Sequence, residues 1–169
     1  EGSSVDTVDG GDGGAVVVTA GHSAGQSSRD YGGDVRVTGG SADTGVGGSV
    51  VVTSGQSEDT TSGAISVNTA DSGPEGVSGL VDVSTGEALD GSSGSISLRT
   101  GNATDGAGGA VSVMVGEGDT GAGGEVRVEA GKTTDAAAGG LVTMTAGEST
   151  GSGSVGGAVS MTAGEGSST

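Results

Sequence analysis

Apolar and polar residues alternate in short bursts along this chain, and the bursts recur at a nearly fixed spacing. The clearest copy runs from Ser93 to Ala107, Ser-Gly-Ser-Ile-Ser-Leu-Arg-Thr-Gly-Asn-Ala-Thr-Asp-Gly-Ala, after which Gly108-Gly109 begins it again. Counted from the second residue of each opening pair, copies start at Gly14, Gly33, Gly48, Gly63, Gly79, Gly94, Gly109, Gly124, Gly140 and Gly157, 15 to 19 residues apart. Two residues past each start stand Val16, Val35, Val50, Ile65, Val81, Ile96, Val111, Val126, Val142 and Val159. Two further on stand Val18, Val37, Val52, Val67, Val83, Leu98, Val113, Val128, Met144 and Met161. The residues between them are mostly polar, among them Arg36, Ser66, Asp82, Ser97, Ser112, Arg127, Thr143 and Ser160. Alternation at period two, with β-branched residues on the apolar side, predicts a strand with one buried face.

The next inward position is small (Ala20, Ser54, Thr85, Ala130, Ala146, Ala163), and the strand stops at a glycine in every copy except at Ala70. The strand segment keeps its length while the connections vary, the longer ones being 22–31, 71–77 with Pro74, 132–138 and 148–155. A constant strand joined by variable loops is what tandem-repeat stacks tolerate. Near-identical copies favour a fold that lays Val over Val, which an antiparallel meander does not do. The prediction is an all-β protein, a single parallel β-solenoid (β-helix) of about ten coils of about 15 residues covering 13–164. Residues 1–12 read as irregular or a partial coil, with Val5 and Val8 its worn remnant, and 165–169 as a short tail.

Composition sharpens this picture. Of 169 residues 41 are Gly, one is Pro, one Tyr, and none is Cys, Phe or Trp; Val, Ile and Leu together number 29. So few large apolar residues with a net charge of −17 would suit a disordered chain. Eighteen of the 29 occupy the two ladder positions, however, and that concentration argues for order. The acidic balance argues against a nucleic acid partner, which calls for Lys/Arg-rich surfaces. No stretch is long enough to span a membrane, and none has the layout of a signal peptide. The first residue is Glu1 rather than Met, as expected of a processed chain or a segment of a longer one.

Candidate chemistry lies in the loops. The residue after each strand-ending position reads His22, Ser41, Gln56, Asp71, Glu87, Asn102, Glu117, Lys132, Glu148 and Glu165. A second acidic series holds Asp43, Asp59, Asp90, Asp105, Asp119 and Asp135. Stacked coils would bring Asp90, Asp105, Asp119 and Asp135 into a column able to offer carboxylate oxygens to Ca²⁺. The competing reading makes each Asp a turn former, since its side chain bonds the local backbone. The calcium-binding nonapeptide is not repeated, and Gly10-Gly11-Asp12-Gly13-Gly14 echoes it only loosely. His22 is the sole histidine and reads as a surface loop residue, and no Ser–His–Asp constellation recurs. An ice-binding face would need an unbroken outward Thr column, which Arg99, Met114 and Glu129 interrupt. Asn102-Ala103-Thr104 is the one N-glycosylation sequon and falls in a loop.

The phrases Ser62-Gly-Ala-Ile-Ser-Val, Ser93-Gly-Ser-Ile-Ser-Leu, Gly108-Gly-Ala-Val-Ser-Val-Met-Val-Gly116 and Gly156-Gly-Ala-Val-Ser-Met-Thr-Ala-Gly164 carry a resemblance. They are similar to the Gly/Ser/Thr-rich tandem-repeat extracellular proteins of diatoms and other stramenopile algae. That resemblance implies cell-surface or fibre material and supplies no catalytic motif. The expected function is therefore a non-catalytic extracellular structural protein, a glycoprotein stacking head-to-tail with copies of itself into a filament or surface coat. Its first and last complete repeats are as regular as the internal ones, so ends open to such addition are expected unless the chain is one segment of a longer protein whose caps lie outside it. The alternative is a Ca²⁺-dependent adhesin or glycan-binding module. A solenoid enzyme of the polysaccharide-lyase type ranks third, since it needs longer coils and a clustered charged groove.

Overall fold

The computed structural model describes residues 13–166. The partial coil expected at 1–12 and the last three residues of the expected tail lie outside them. By internal contacts the chain divides into two units, Glu1–Val83 and Ser84–Thr169. In each unit the repeat unfolds into the same two parts. Six-residue arms carry the ladder (15–20, 34–39, 49–54, 64–69 and 80–85, then 95–100, 110–115, 125–130, 141–146 and 158–163), and loops join them. The arm at 80–85 includes the division between the units.

Bends and turns are confined to the loops, at 27–29, 43–45, 58–60, 74–75, 89–91, 104–106, 119–122, 135–137 and 151–153. The arms contain none, and their side chains meet two residues apart. Arg36 donates to the Asp34 carboxylate at 2.5 Å, Ser66 to the Asn68 side chain at 3.3 Å, and Arg127 Nε to Glu129 at 2.9 Å. Side chains at i and i+2 share a side only where the backbone alternates at period two.

The β-solenoid is not formed. Among the described residues there is neither helix nor strand, and no arm pairs with another. Backbone hydrogen bonds are local instead. A stack requires each arm to spend its N–H and C=O groups on its neighbours. Here the bonding runs across the base of single loops and within loop tips. Composition supplies the reason: 29 Val, Ile and Leu residues and 1% aromatics give a thin interior little apolar area to offset the cost of ordering the backbone. Accordingly no described residue is buried, and every ladder side chain is exposed.

The loops close at their base in two ways. Gly33 N–H donates to Gly21 C=O at 2.9 Å, Gly48 to Gly40 at 2.7 Å, Gly63 to Gly55 at 2.9 Å, Gly140 to Gly131 at 2.9 Å and Gly157 to Gly147 at 2.9 Å. Each bond joins the end of one arm to the start of the next, forming a neck. Gly79, Gly94, Gly109 and Gly124 make no such bond among the described residues. The residue at the end of the preceding arm separates the two classes. It is Ala20, Gly39, Ser54, Ala130 or Ala146 at the closed necks, and Thr69, Thr85, Thr100 or Val115 at the open ones.

Sterics account for the division. A Cβ added to Gly79, Gly94 or Gly109 would meet a threonine Cγ2 at 3.2, 3.3 and 3.4 Å, and at Gly124 it would meet Val115 Cγ1 at 2.5 Å. A γ-methyl therefore occupies the neck and holds its sides apart. At Gly33, Gly48 and Gly140 the added Cβ would instead meet the backbone N of the opposite glycine at 3.0, 2.9 and 3.0 Å. Glycine is required there by close backbone approach rather than by its φ.

Candidate functional site

The sequence places its candidate chemistry in the loops, and several of the loops are self-bonded. Ser27 N–H donates to Asp30 Oδ2 at 3.1 Å while Asp30 N–H donates to Ser27 C=O at 3.0 Å. Thr60 N–H donates to Ser57 Oγ at 3.0 Å, and Asp135 N–H to Thr133 Oγ1 at 3.2 Å. Ala136 N–H donates to Asp135 Oδ1 at 2.7 Å. These are the short side-chain-to-backbone bonds that Ser, Thr and Asp make when they form turns. Proline and glycine do the same elsewhere. Pro74 and Glu75 form the tip of a turn closed by Gly76 N–H on Gly73 C=O at 3.1 Å. In the turn from Gly151 to Ser154 the third residue, Gly153, takes φ 75°, as a type II turn demands.

All six residues of the second acidic series occupy loop bends: Asp43, Asp59, Asp90, Asp105, Asp119 and Asp135. Asp105 adopts φ 57°, a left-handed conformation that Asp tolerates better than most residues. Asp90, Asp105, Asp119 and Asp135 thus sit one per loop. Among the described residues no three His, Cys, Asp or Glu side chains come together in a group able to hold a metal ion. The structure therefore does not bring the proposed Ca²⁺ ligands into one set, because the coils whose stacking would have aligned them are not stacked.

The first series, His22 to Glu165, follows the necks directly, and every member is exposed. Asn102 is exposed two residues past the end of its arm, with Thr104 in the bend that follows. Two ion pairs, Asp34–Arg36 and Arg127–Glu129, lie on arms with both partners largely solvated. Pairs of that kind contribute little to stability. Among the described residues there is no pocket and no helix long and apolar enough to cross a membrane.

What the arrangement offers in quantity is its apolar rows. The first ladder residue of each arm from Val35 onward is 49–63% exposed, the second 66–85%, and Val16 is 92% exposed. The necks themselves escape a reading by residue class. Grouping Ala20, Ser54, Thr85 and Ala130 as one small position conceals the γ-methyl that separates Thr85 from the rest. Comparison with protein-family models, curated proteins and solved structures gave no match.

Proposed function

We propose that this chain is a non-catalytic structural protein of a cell surface or extracellular layer, and that it works as a material by associating with copies of itself. One observation carries the reading. The accessible surface is 16848 Å² for 15.4 kDa. A self-contained folded monomer of that mass exposes about 7,200 Å² and an unfolded one about 22,000 Å². The chain therefore keeps about three quarters of its unfolded surface. Its repeats present apolar side chains that no part of the described chain covers, and exposed apolar surface of this kind is what association covers.

The repeat wording points the same way, through its resemblance to algal extracellular repeat proteins. Loops rich in Ser and Thr, with Asn102 in a sequon, suit a hydrated and glycosylated exterior. Electron microscopy with multi-angle light scattering of the full chain tests the reading across a concentration series. Growing assemblies are expected. A monodisperse monomer at high concentration and moderate salt overturns it.

A further inference from the structure

We infer that the surface through which two copies meet is the apolar row of the arms, arm against arm, while the loops stay outside the contact. This rests on the structural reading above and names its interface. Three observations lead to it.

The first is area. An apolar side chain of this size offers on the order of 60–100 Å². The ten in either unit, about two thirds exposed, present about 400–700 Å², the scale of a weak, transient interface rather than the about 800 Å² per partner of a standard one. Their backbone is open as well, since no described arm residue donates or accepts a backbone hydrogen bond. An arm can therefore add to another arm as a strand adds to a sheet edge, with main-chain bonds and ladder side chains acting together.

The second is where the charge lies. The chain carries −17 in all. The arms hold only Asp34, Asp82, Glu125 and Glu129 against Arg36, Arg99 and Arg127. Nearly all the repulsion between copies thus resides in the loops, and arms can approach arms almost uncharged. A contact that put loop against loop would face the full like-charge penalty.

The third is period. Arms recurring about every 15 residues need a partner with arms at the same interval. A second copy of this chain has that interval by construction, so the occupant is the chain itself. The second ladder residue, the more exposed of the pair in every arm from Val35 onward, is the natural point to probe.

Sedimentation velocity on the full chain makes the test, with amide I infrared spectra of the same samples. Val113→Asp with Val128→Asp is compared with Ser97→Asp and Ser112→Asp, which add the same charge on the other side of neighbouring arms. The ladder variant is expected to weaken association at least tenfold and the control less than about threefold. Association of the wild-type chain should bring in the infrared signal of paired strands. Equal weakening by both variants, or association without that signal, overturns the interface. A wild-type chain that stays monomeric throughout overturns the structural reading beneath it, so the two failures are told apart.

Discussion

Exchanging a single methyl group between necks should convert one class into the other. At the closed neck of the loop 131–140, Ala130 ends the arm and Gly140 N–H reaches Gly131 C=O at 2.9 Å. A Cβ built on Gly140 would lie 3.2 Å from the Ala130 Cβ and 3.0 Å from Gly131 N, so the two sides of this neck already approach closely beside Ala130. Ala130→Thr adds a γ-methyl at the place where Thr100 holds the neck at Gly109 apart, and it should break the bond. Thr100→Ala removes that methyl and should let Gly109 N–H close onto Gly101 C=O. A net backbone hydrogen bond is worth about 0.5–1.5 kcal/mol, a change of about two- to tenfold in the closed population. Amide hydrogen exchange followed by NMR, corrected for intrinsic rates, reads this directly. The wild-type chain should protect Gly140 about two- to tenfold more than Gly109. Ala130→Thr should abolish the difference from one side and Thr100→Ala from the other. Equal wild-type protection at Gly109 and Gly140, or two variants without effect, would refute the steric account of the necks.

Three further outcomes are expected. Gly48→Ala should lower protection of its own amide, because its Cβ would stand 2.9 Å from Gly40 N, whereas Gly47→Ala, at 3.5 Å from Gly40 O, should leave that neck intact; equal effects in the exchange experiment would contradict this. Calcium titration calorimetry should give no saturable stoichiometric site, and a site lost in Asp105→Asn would instead assign a metal role to the bend aspartates. Produced in a secreting eukaryotic cell, the chain should carry an N-glycan visible by mass spectrometry and removed by Asn102→Gln, while an unmodified mass for the parent would exclude Asn102 as an acceptor.

The local grammar of this protein is written plainly in its sequence, and its long-range arrangement is not. Arms and loops can be marked off from the Gly starts and the period-two Val positions, because both depend on neighbours a few residues away. The Asp residues in the bends are legible for the same reason: the preference of Asp for turns is settled by its immediate neighbours, and Asp135 accepts from the amide of Ala136 next to it. Stacking of Val over Val depends on something a repeat does not encode, namely whether burial outweighs the ordering of whole coils. The recurrence of Val50, Ile65 and Val81 reads equally well as a ladder inside one chain or as a row offered to another. The four candidate Ca²⁺ ligands inherited their column from the stack and lost it with the stack. The neck classes were open to prediction from Thr69, Thr85, Thr100 and Val115, but only once the two sides of a loop base are known to touch.

The closed necks have a mechanical meaning. Where Gly48 is bonded to Gly40, a pull along the chain passes through that single contact and leaves the loop between them slack. When the contact gives way, the seven residues 41–47 join the path under load, and the eight Cα-to-Cα steps from Gly40 to Gly48 extend to about 26–29 Å, less the short span already bridged. The larger loop closed by Gly33 on Gly21 hides eleven residues, about 40 Å of extended backbone. The necks held open by Thr69, Thr85, Thr100 and Val115 conceal nothing behind a backbone bond and should straighten at lower force. A layer woven from such chains would yield in small reversible steps, each loop surrendering its slack before any covalent bond or arm contact is strained, and re-forming when the tension is released. Single-molecule pulling on Ala130→Thr should lose one such step, and an unchanged step count would show that the necks bear no load.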